Sequence, residues 1–390
     1  MVRLGDVCTF YSGTGFPNIY QGKADGKYPF YKVGDISRNV LSGNRELKIC
    51  ENYIDDDTVT KIKGTLLPPQ TVVFAKIGEA LRLNRRAITS RDCLVDNNAM
   101  GIKSDDSIID SLYFYYFMCN VDLQNYCEST TVPSVRKTRI AEIEIPLPPL
   151  DEQRRIAAVL DKVSDLIAKR REQLDKLDEL VKAWFVEMFG NFIFDRDRWE
   201  ICKVGSVADT IDPQPSHRTP PVSTDGIPYI GIAECNYETW HIDFEKARKV
   251  GKNVLREHQE RYTLDNGDFI IGKIGTIGKP FPIPAKQTYT LSANTILIKP
   301  IKNKVMPQFL FAVFQSEYMD RIIEAEKKST SQPAFGIQKV RNIEMPLPPM
   351  KLQQGFSDFV EQLDKSKLTI QQSLDKLEVL KKALMQKYFG

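Results

Sequence analysis

The chain is built from two copies of one unit. The segment Ile143–Leu150 reads IEIPLPPL, and Ile343–Met350, 200 residues later, reads IEMPLPPM. An internal repeat constrains the architecture more than any local pattern does, because each copy must form the same structural unit. Further matches are Leu4–Val7 with Val204–Val207, Tyr28–Tyr31 with Ile227–Ile230, Lys76–Gly78 with Lys273–Gly275, Leu174–Leu177 with Leu374–Leu377, and Phe189–Gly190 with Phe389–Gly390. The repeat predicts a fixed scaffold that carries two diverged domains; a duplication without division of labour is the alternative.

Each unit is predicted to end in a long helix. The prolines within 146–149 and 346–349 end a strand and open the helix that follows. In the first helix the apolar residues recur at steps of four and three, interrupted by Arg170, and the second helix has a similar pattern. Such a heptad seam needs another helix to cover it. The predicted interface consists of Ile156, Leu160, Val163, Ile167, Leu174, Leu177, Val181, Trp184, Phe356, Val360, Leu363, Ile370, Leu374, Leu377 and Leu384.

The two helices are expected to pair with each other as an antiparallel coiled coil. The first must leave one domain and reach the next, which sets their opposite directions and implies a pseudo-twofold repeat. The alternative is that each helix packs only on its own domain. The predicted boundaries are 1–150 for the first domain, 151–190 for the central helix, 191–350 for the second domain and 351–390 for the C-terminal helix.

Each globular domain is predicted to be mixed α/β (α+β). Short apolar runs such as Thr71–Phe74, Asp268–Ile271 and Thr295–Ile298 indicate strands. The longer apolar runs Ser111–Cys119 and Gln308–Gln315 indicate buried helices. Strand order does not follow from these patterns.

Amino-acid composition indicates the cellular environment of the protein more clearly than its function. The net charge is +3, so any nucleic-acid surface must concentrate its positive charge locally. The 7 cysteines form no C-x-x-C pair, which favours free thiols in a reducing, cytoplasmic compartment. Because no run of about 18 apolar residues occurs, a membrane span is not expected.

The repeated motif resembles that of the specificity subunits of type I restriction–modification systems. Its carriers are Ile143–Gln153 (IEIPLPPLDEQ), Ile343–Gln353 (IEMPLPPMKLQ) and the strand-and-glycine segment Gly267–Gly275. The first copy departs from the last motif, with Val72–Ala75 before its lysine and glycine, and Lys351-Leu352 replaces an acidic pair in the second. The resemblance implies two target-recognition domains, each reading half of a split site in double-stranded DNA, and a helical coil that sets the gap. It also implies two modification (methyltransferase) subunits docked on the coil, with restriction (translocase/endonuclease) subunits joining them.

Basic and small polar loops supply the candidate DNA contacts, because Lys and Arg bind phosphates while small residues permit close approach. Ordinary solvated loops are the alternative for each of them. The candidates are Lys76, Arg82, Arg85, Arg86, Thr130, Thr131, Ser134, Arg136 and Lys137 in the first domain, and Lys273, Lys279, Ser329, Thr330, Ser331, Gln332 and Lys339 in the second. The equivalent segments Tyr31–Arg38 and Tyr229–Tyr237, interpreted as strand and loop, add Arg38 and Asn236, which are more simply explained as surface residues.

No catalytic motif is readable in the chain. The methyltransferase motif N-P-P-[YF] is missing, and the glycines from Gly272 to Gly278 match neither nucleotide-binding pattern. The acidic run Asp55–Asp57 resembles a metal site only in composition. We therefore expect a non-catalytic subunit without catalytic or metal-binding residues of its own, with S-adenosylmethionine, ATP and Mg²⁺ on partner subunits. An enzyme with an unrecognised site and a coiled-coil protein that binds no DNA are the alternatives.

Overall fold

The computed structural model describes residues 1–128, 132–216, 218–237, 239–274, 276–286, 288–328 and 335–390. Their contacts group the chain into two units. Unit 1 combines Met1–Glu172 with Gln371–Gly390, and unit 2 is Gln173–Ile370. Each unit therefore contains one globular domain and a part of both long helices, a division that the four predicted segments do not include.

The first copy contains short strands, short helices and one long helix. Its elements are β1 (Val2–Arg3), α1 (Leu4–Val7), β2 (Cys8–Ser12), β3 (Tyr28–Tyr31), α2 (Val33–Leu41), β4 (Tyr53–Ile54), α3 (Asp56–Lys61), β5 (Val72–Ala75), α4 (Glu79–Arg82), β6 (Ala87–Ile88), β7 (Leu94–Val95), β8 (Ala99–Ser104), α5 (Ser111–Asn120), α6 (Lys137–Ala141), β9 (Glu144–Ile145) and α7 (Leu150–Phe189), with 3-10 turns at Asn18–Tyr20 and Leu123–Tyr126. The strands form three sheets in the orders β2-β8-β5-β6, β4-β3-β7 and β1-β9.

The second copy repeats this plan. Its elements are β10 (Glu200–Lys203), α8 (Val204–Val207), β11 (Ala208–Ile211), β12 (Val222–Ile230), β13 (Cys235–Asn236), β14 (His241–Ile242), β15 (Lys249–Val250), α9 (Lys252–Gln259), β16 (Phe269–Gly272), β17 (Pro280–Pro282), β18 (Thr290–Leu291), β19 (Thr295–Pro300), α10 (Pro307–Phe314), α11 (Glu317–Lys328), α12 (Ile337–Arg341), β20 (Glu344–Leu347) and α13 (Met350–Phe389), with 3-10 turns at Arg196–Arg198 and Ile232–Glu234. The sheet orders β11-β19-β16-β17, β15-β12-β18 and β10-β20 correspond one to one with those of the first copy. Parallel pairing occurs at the same place, between β3 and β7 and between β12 and β18. The predicted mixed α/β repeat is confirmed.

The four-stranded sheet of each domain is buried on both faces. In β5, Val72 and Phe74 join one hydrophobic cluster and Val73 joins another, since successive side chains of a strand point to opposite faces. In β16, Phe269 and Ile270 divide between two clusters in the same way. Burial on both faces explains why these strands read as continuous apolar runs rather than alternating ones.

One proline prediction is wrong. Pro346 does not end the strand before α13; it lies within β20, where it pairs with Ile201. The strand tolerates it because β10 and β20 form a two-stranded sheet, and every strand of such a sheet is an edge whose outer N–H groups need no partner. In the first copy β9 does end before Pro146, as predicted.

The helical seam is buried or half-buried at every predicted position. In unit 1, Arg171 Nη2 lies 2.7 Å from Glu378 Oε1, while Ile156 and Leu160 share a core cluster with Met385 and Phe389. As residue numbers fall along α7 they rise along α13, so these segments run antiparallel.

Unit 2 shows the same direction of packing. Lys367 Nζ lies 2.5 Å from Asp178 Oδ1, and the rings of Trp184 and Phe359 are 5.3 Å apart. Each helix also packs on the core of the other copy's domain, so the alternative that each packs only on its own domain is wrong. Phe185 and Phe189, outside the predicted seam, join the core of the second domain.

A buried glutamine fastens the start of each long helix to its domain. Gln153 Oε1 accepts from Asp110 N at 2.9 Å, and Gln153 Nε2 donates to Ile108 O at 3.0 Å and Pro148 O at 2.9 Å. Gln353 does the same with Met306 N at 2.9 Å and Pro348 O at 2.7 Å. Both glutamines are 1% exposed. This arrangement explains why the repeated motif ends in Gln, because each attachment of helix to domain needs one hydrogen-bond acceptor and one donor on the same side chain.

Candidate nucleic-acid interface

Three loops of the first domain converge at one end of the four-stranded sheet. Lys76 N donates to Asn98 O at 2.8 Å, and Lys76 O accepts from Val135 N at 3.0 Å. Gly78 N donates to Pro133 O at 2.8 Å. We call residues 76–86, 96–98 and 132–137 the first loop cluster. The fold of the first domain thus brings together candidate DNA contacts that are 60 residues apart, such as Lys76 and Arg136, on loops joined by backbone hydrogen bonds.

The second domain forms the equivalent arrangement. Lys273 N donates to Asn294 O at 2.8 Å, and Lys273 O accepts from Phe335 N at 2.9 Å. We call residues 273–274, 276–279, 292–294 and 335–339 the second loop cluster. The shared backbone pattern means that both copies present the same type of loop end, built from different side chains.

Most described candidates of the first domain are accessible. Lys76 and Arg85 are half-buried and Arg82 is exposed. The side chain of Arg136 is 74% exposed and its Nε lies 2.7 Å from Glu128 Oε2. Lys137 Nζ is exposed 5.4 Å from the ring centre of Phe10. Ser134 is half-buried and its backbone pairs with that of Ile77, whereas Thr130 and Thr131 lie outside the described residues.

The prediction that Arg86 contacts DNA is contradicted by its burial. Arg86 is 3% exposed; its guanidinium donates to Asn84 Oδ1 at 2.7 Å and to Arg85 O at 3.0 Å, and it lies 4.8 Å from the ring centre of Phe74. Desolvation by burial lowers the pKa of this guanidinium. Arg86 therefore supports the first loop cluster from inside the domain. The sequence could not distinguish it from its half-buried neighbour Arg85.

Lys273 is likewise held within the second domain. It is 9% exposed, its Nζ lies 2.7 Å from Asp212 Oδ2, and it donates to Ala293 O at 2.9 Å. The prediction of Lys273 as a DNA contact is therefore wrong in this structure. Ser12 occupies the position in β2 that corresponds to Asp212, so the equivalent Lys76 lacks that carboxylate partner.

The other candidates of the second domain divide between accessible and undescribed positions. Lys279 is exposed, with Nζ 4.3 Å from the ring centre of Tyr237, and Lys339 is exposed on α12. Gly278 is required by packing inside the domain, because a Cβ at this position would clash with Ile323 Cδ1. Ser329, Thr330, Ser331 and Gln332 lie outside the described residues.

The segments interpreted as equivalent strands and loops differ in structure. After β3 the first domain forms helix α2, in which Arg38 pairs with Glu51. After β12 the second domain forms a 3-10 turn and then the β13–β14 hairpin, which contains Asn236. The sequence similarity between these segments is limited to the strand and the glycine after it. The sequence therefore did not predict that a helix follows β3 and a hairpin follows β12.

Sequence reasoning missed several exposed apolar side chains beside the cations. Ile77, Leu83 and Val132 are 38%, 49% and 53% exposed in the first loop cluster, and Ile274 is 58% exposed in the second. The repeat of Lys-Ile-Gly in both copies was the available signal for Ile77 and Ile274. Apolar groups among cations suit a ligand that offers both phosphates and base edges.

The described residues form neither a metal-binding cluster nor a membrane-spanning helix. No group of three or more His, Cys, Asp and Glu side chains that could hold a metal ion is present among them. In that same part of the chain, none of the helices has the length and apolar character needed to cross a membrane. The acidic run instead caps a helix: Asp55 Oδ1 accepts from Thr58 N at 2.8 Å at the start of α3.

The geometry thus defines a duplicated protein with one loop cluster of cations and apolar side chains in each copy, and comparison with known proteins agrees. The model of the type I restriction modification DNA specificity domain matches residues 1–178 and 197–381. The chain is 23% identical to the type I restriction enzyme MjaVIII specificity subunit of Methanocaldococcus jannaschii, over 99% of this chain and 90% of the relative. It is 19% identical to the EcoBI specificity subunit of Escherichia coli, over 100% and 85% of the two chains.

Solved structures share the fold. The S subunit of a type I restriction–modification system from M. genitalium matches with a TM-score of 0.57 at 14% identity, covering 100% of this chain and 95% of that one. The chain belongs to the family of type I restriction–modification DNA specificity proteins.

Proposed function

We propose that this chain is the non-catalytic specificity subunit of a type I restriction–modification complex, in which each domain reads one half of a split DNA site. The observation that carries the proposal is the pair of loop clusters, which combine exposed cations with exposed apolar side chains at the same end of a repeated sheet. Cations supply affinity for phosphates, and side chains that reach base edges supply sequence choice.

The proposed role of the paired helices is to set the distance between the half-sites and to dock two modification subunits. One base pair of spacer shifts a half-site by about 3.4 Å and rotates it by roughly 35°. A rigid coil would therefore accept one spacer length and reject its neighbours. Restriction subunits would join this assembly, and S-adenosylmethionine, ATP and Mg²⁺ would bind to the partner subunits.

Genome-wide mapping of methylated adenines tests the proposal. Cells with the gene should carry a split motif whose methylation disappears when the gene is deleted and returns with a plasmid copy. If deleting the gene removes methylation from no motif, the proposal that the chain recognises DNA sequence is refuted. Cleavage or methyl transfer by the purified chain alone would instead support an enzyme.

The coil prediction needs a separate test. One extra heptad in each helix, inserted after Lys169 and after Thr369, lengthens each by about 10 Å at ~1.5 Å per residue. The mapped motif should then keep both halves but no longer have its original spacer length. An unchanged spacer would remove the coil from this role while leaving the reading of half-sites intact.

A further inference from the structure

The two copies differ in the element that follows the central strand of their three-stranded sheets. In the first domain β3 leads into helix α2 (Val33–Leu41). In the second, β12 leads into the hairpin of β13 and β14, whose strands pair as Cys235 with Ile242 and Asn236 with His241. The three sheets shared by the two copies keep the same strand order. A change of secondary structure on a retained scaffold is expected where two domains have to recognise different sequences.

The hairpin lies beside the second loop cluster. Tyr237 Oη donates to Lys279 O at 3.0 Å, and Lys279 Nζ is 4.3 Å from the ring centre of Tyr237. The ring of Trp240 lies 5.5 Å from that of Phe281, in the strand that follows Lys279. A duplex bound by Lys279 through its phosphates would therefore meet the hairpin as well.

Trp240 has an unusual conformation for its residue type. Its φ is +52°, in the left-handed region that bulky side chains rarely adopt. It is also 37% exposed, although its ring contacts those of Tyr237, Phe281 and Phe311. Strained backbone held by surrounding packing is concentrated at ligand-binding elements, and here it occurs at a partly exposed aromatic residue.

We propose that the β13–β14 hairpin enters the major groove of the half-site bound by the second domain, and that Trp240 there selects bases by contact with their edges. The groove is about 12 Å wide and admits a two-stranded ribbon, and apolar side chains in it distinguish the thymine methyl group from the other base edges. The inference rests on the proposed function and adds which element of this domain discriminates between sequences.

The test is a methylation map made with the full-length chain co-expressed with its modification subunits in cells that lack other adenine methylation. The variant is Trp240→Asn, because Asn tolerates the left-handed conformation while the aromatic ring is lost. We expect one or two positions in one half of the motif to lose about tenfold in discrimination, the scale of a good base contact, while the other half stays unchanged.

A matched control uses Phe194, an aromatic residue of the same unit that is 76% exposed. Phe194→Asn should leave both halves of the motif as in the wild type. If Trp240→Asn also leaves both halves unchanged while the wild type methylates a split motif, the inference is overturned and the proposed function stands. If the wild type itself directs no split motif, the proposed function fails.

A second variant covers the case in which Trp240→Asn abolishes methylation at every site. Trp240→Phe keeps an aromatic ring against Phe281 and Phe311 but presents a smaller edge. An altered base preference confined to one half supports the inference, and a wild-type motif overturns it.

Discussion

Replacing the buried Gln153 with methionine should destabilise unit 1 far more than a surface change of the same kind. Methionine keeps the length and most of the volume of glutamine but makes none of its three hydrogen bonds, to Asp110 N, Ile108 O and Pro148 O. At about 1 kcal/mol for each bond, the free energy of unfolding should fall by ~3 kcal/mol. For a unit of this size that corresponds to roughly 6–12 °C in Tm.

The repeat provides an internal comparison for this prediction. Gln353 makes two such bonds, to Met306 N and Pro348 O, so Gln353→Met should cost unit 2 about 2 kcal/mol. The matched control is Gln354→Met, since the amide of Gln354 bonds Asp358 Oδ1 on the exposed surface of the same helix. Scanning calorimetry of the full chain measures all three variants. Equal shifts for Gln153→Met and Gln354→Met would refute the argument that buried hydrogen bonds fasten the helices.

Three further predictions concern single side chains. Lys76→Ala should lower the slope of log binding constant against log salt by about 1, whereas Lys273→Ala should leave that slope unchanged and lower Tm, because the buried Lys273 is already paired with Asp212. Equal slopes for both variants would contradict this. Desolvation lowers the pKa of His258, so the unfolded chain binds a proton at this residue more readily than the folded chain does. The wild type should therefore lose stability as the pH falls through the ordinary histidine range. A His258→Gln variant with the same pH dependence in urea titrations would exclude this residue as the cause. Phe389→Ala removes a side chain that is 9% exposed and contacts the ring of Tyr113. The free energy of unfolding of unit 1 should fall by about 3 kcal/mol. A fall below ~1 kcal/mol in urea titrations would mean that the end of α13 is not anchored there.

The periodicity and repeat of the sequence determined the scaffold. Steps of three and four placed the seam on one helix face, and the helices observed, Leu150–Phe189 and Met350–Phe389, begin and end within one residue of the predicted bounds. The apolar runs predicted β5, β16, β19, α5 and α10 correctly, because burial on both sides leaves an unbroken apolar run in the chain. These properties depend on residues close in sequence, and the repeat shows each of them twice.

Only the tertiary structure decided which candidate cations can reach a ligand. Arg85 and Arg86 are neighbours of the same type, yet packing on Phe74 buries one and leaves the other accessible. Lys76 and Lys273 share one motif, but Asp212, which follows β11 and is far away in sequence, pairs with the second. The exposed ring of Trp240 likewise depends on a hairpin that the repeat did not predict. Side-chain exposure and charge pairing arise from contacts between distant segments, and no local pattern of residues encodes them.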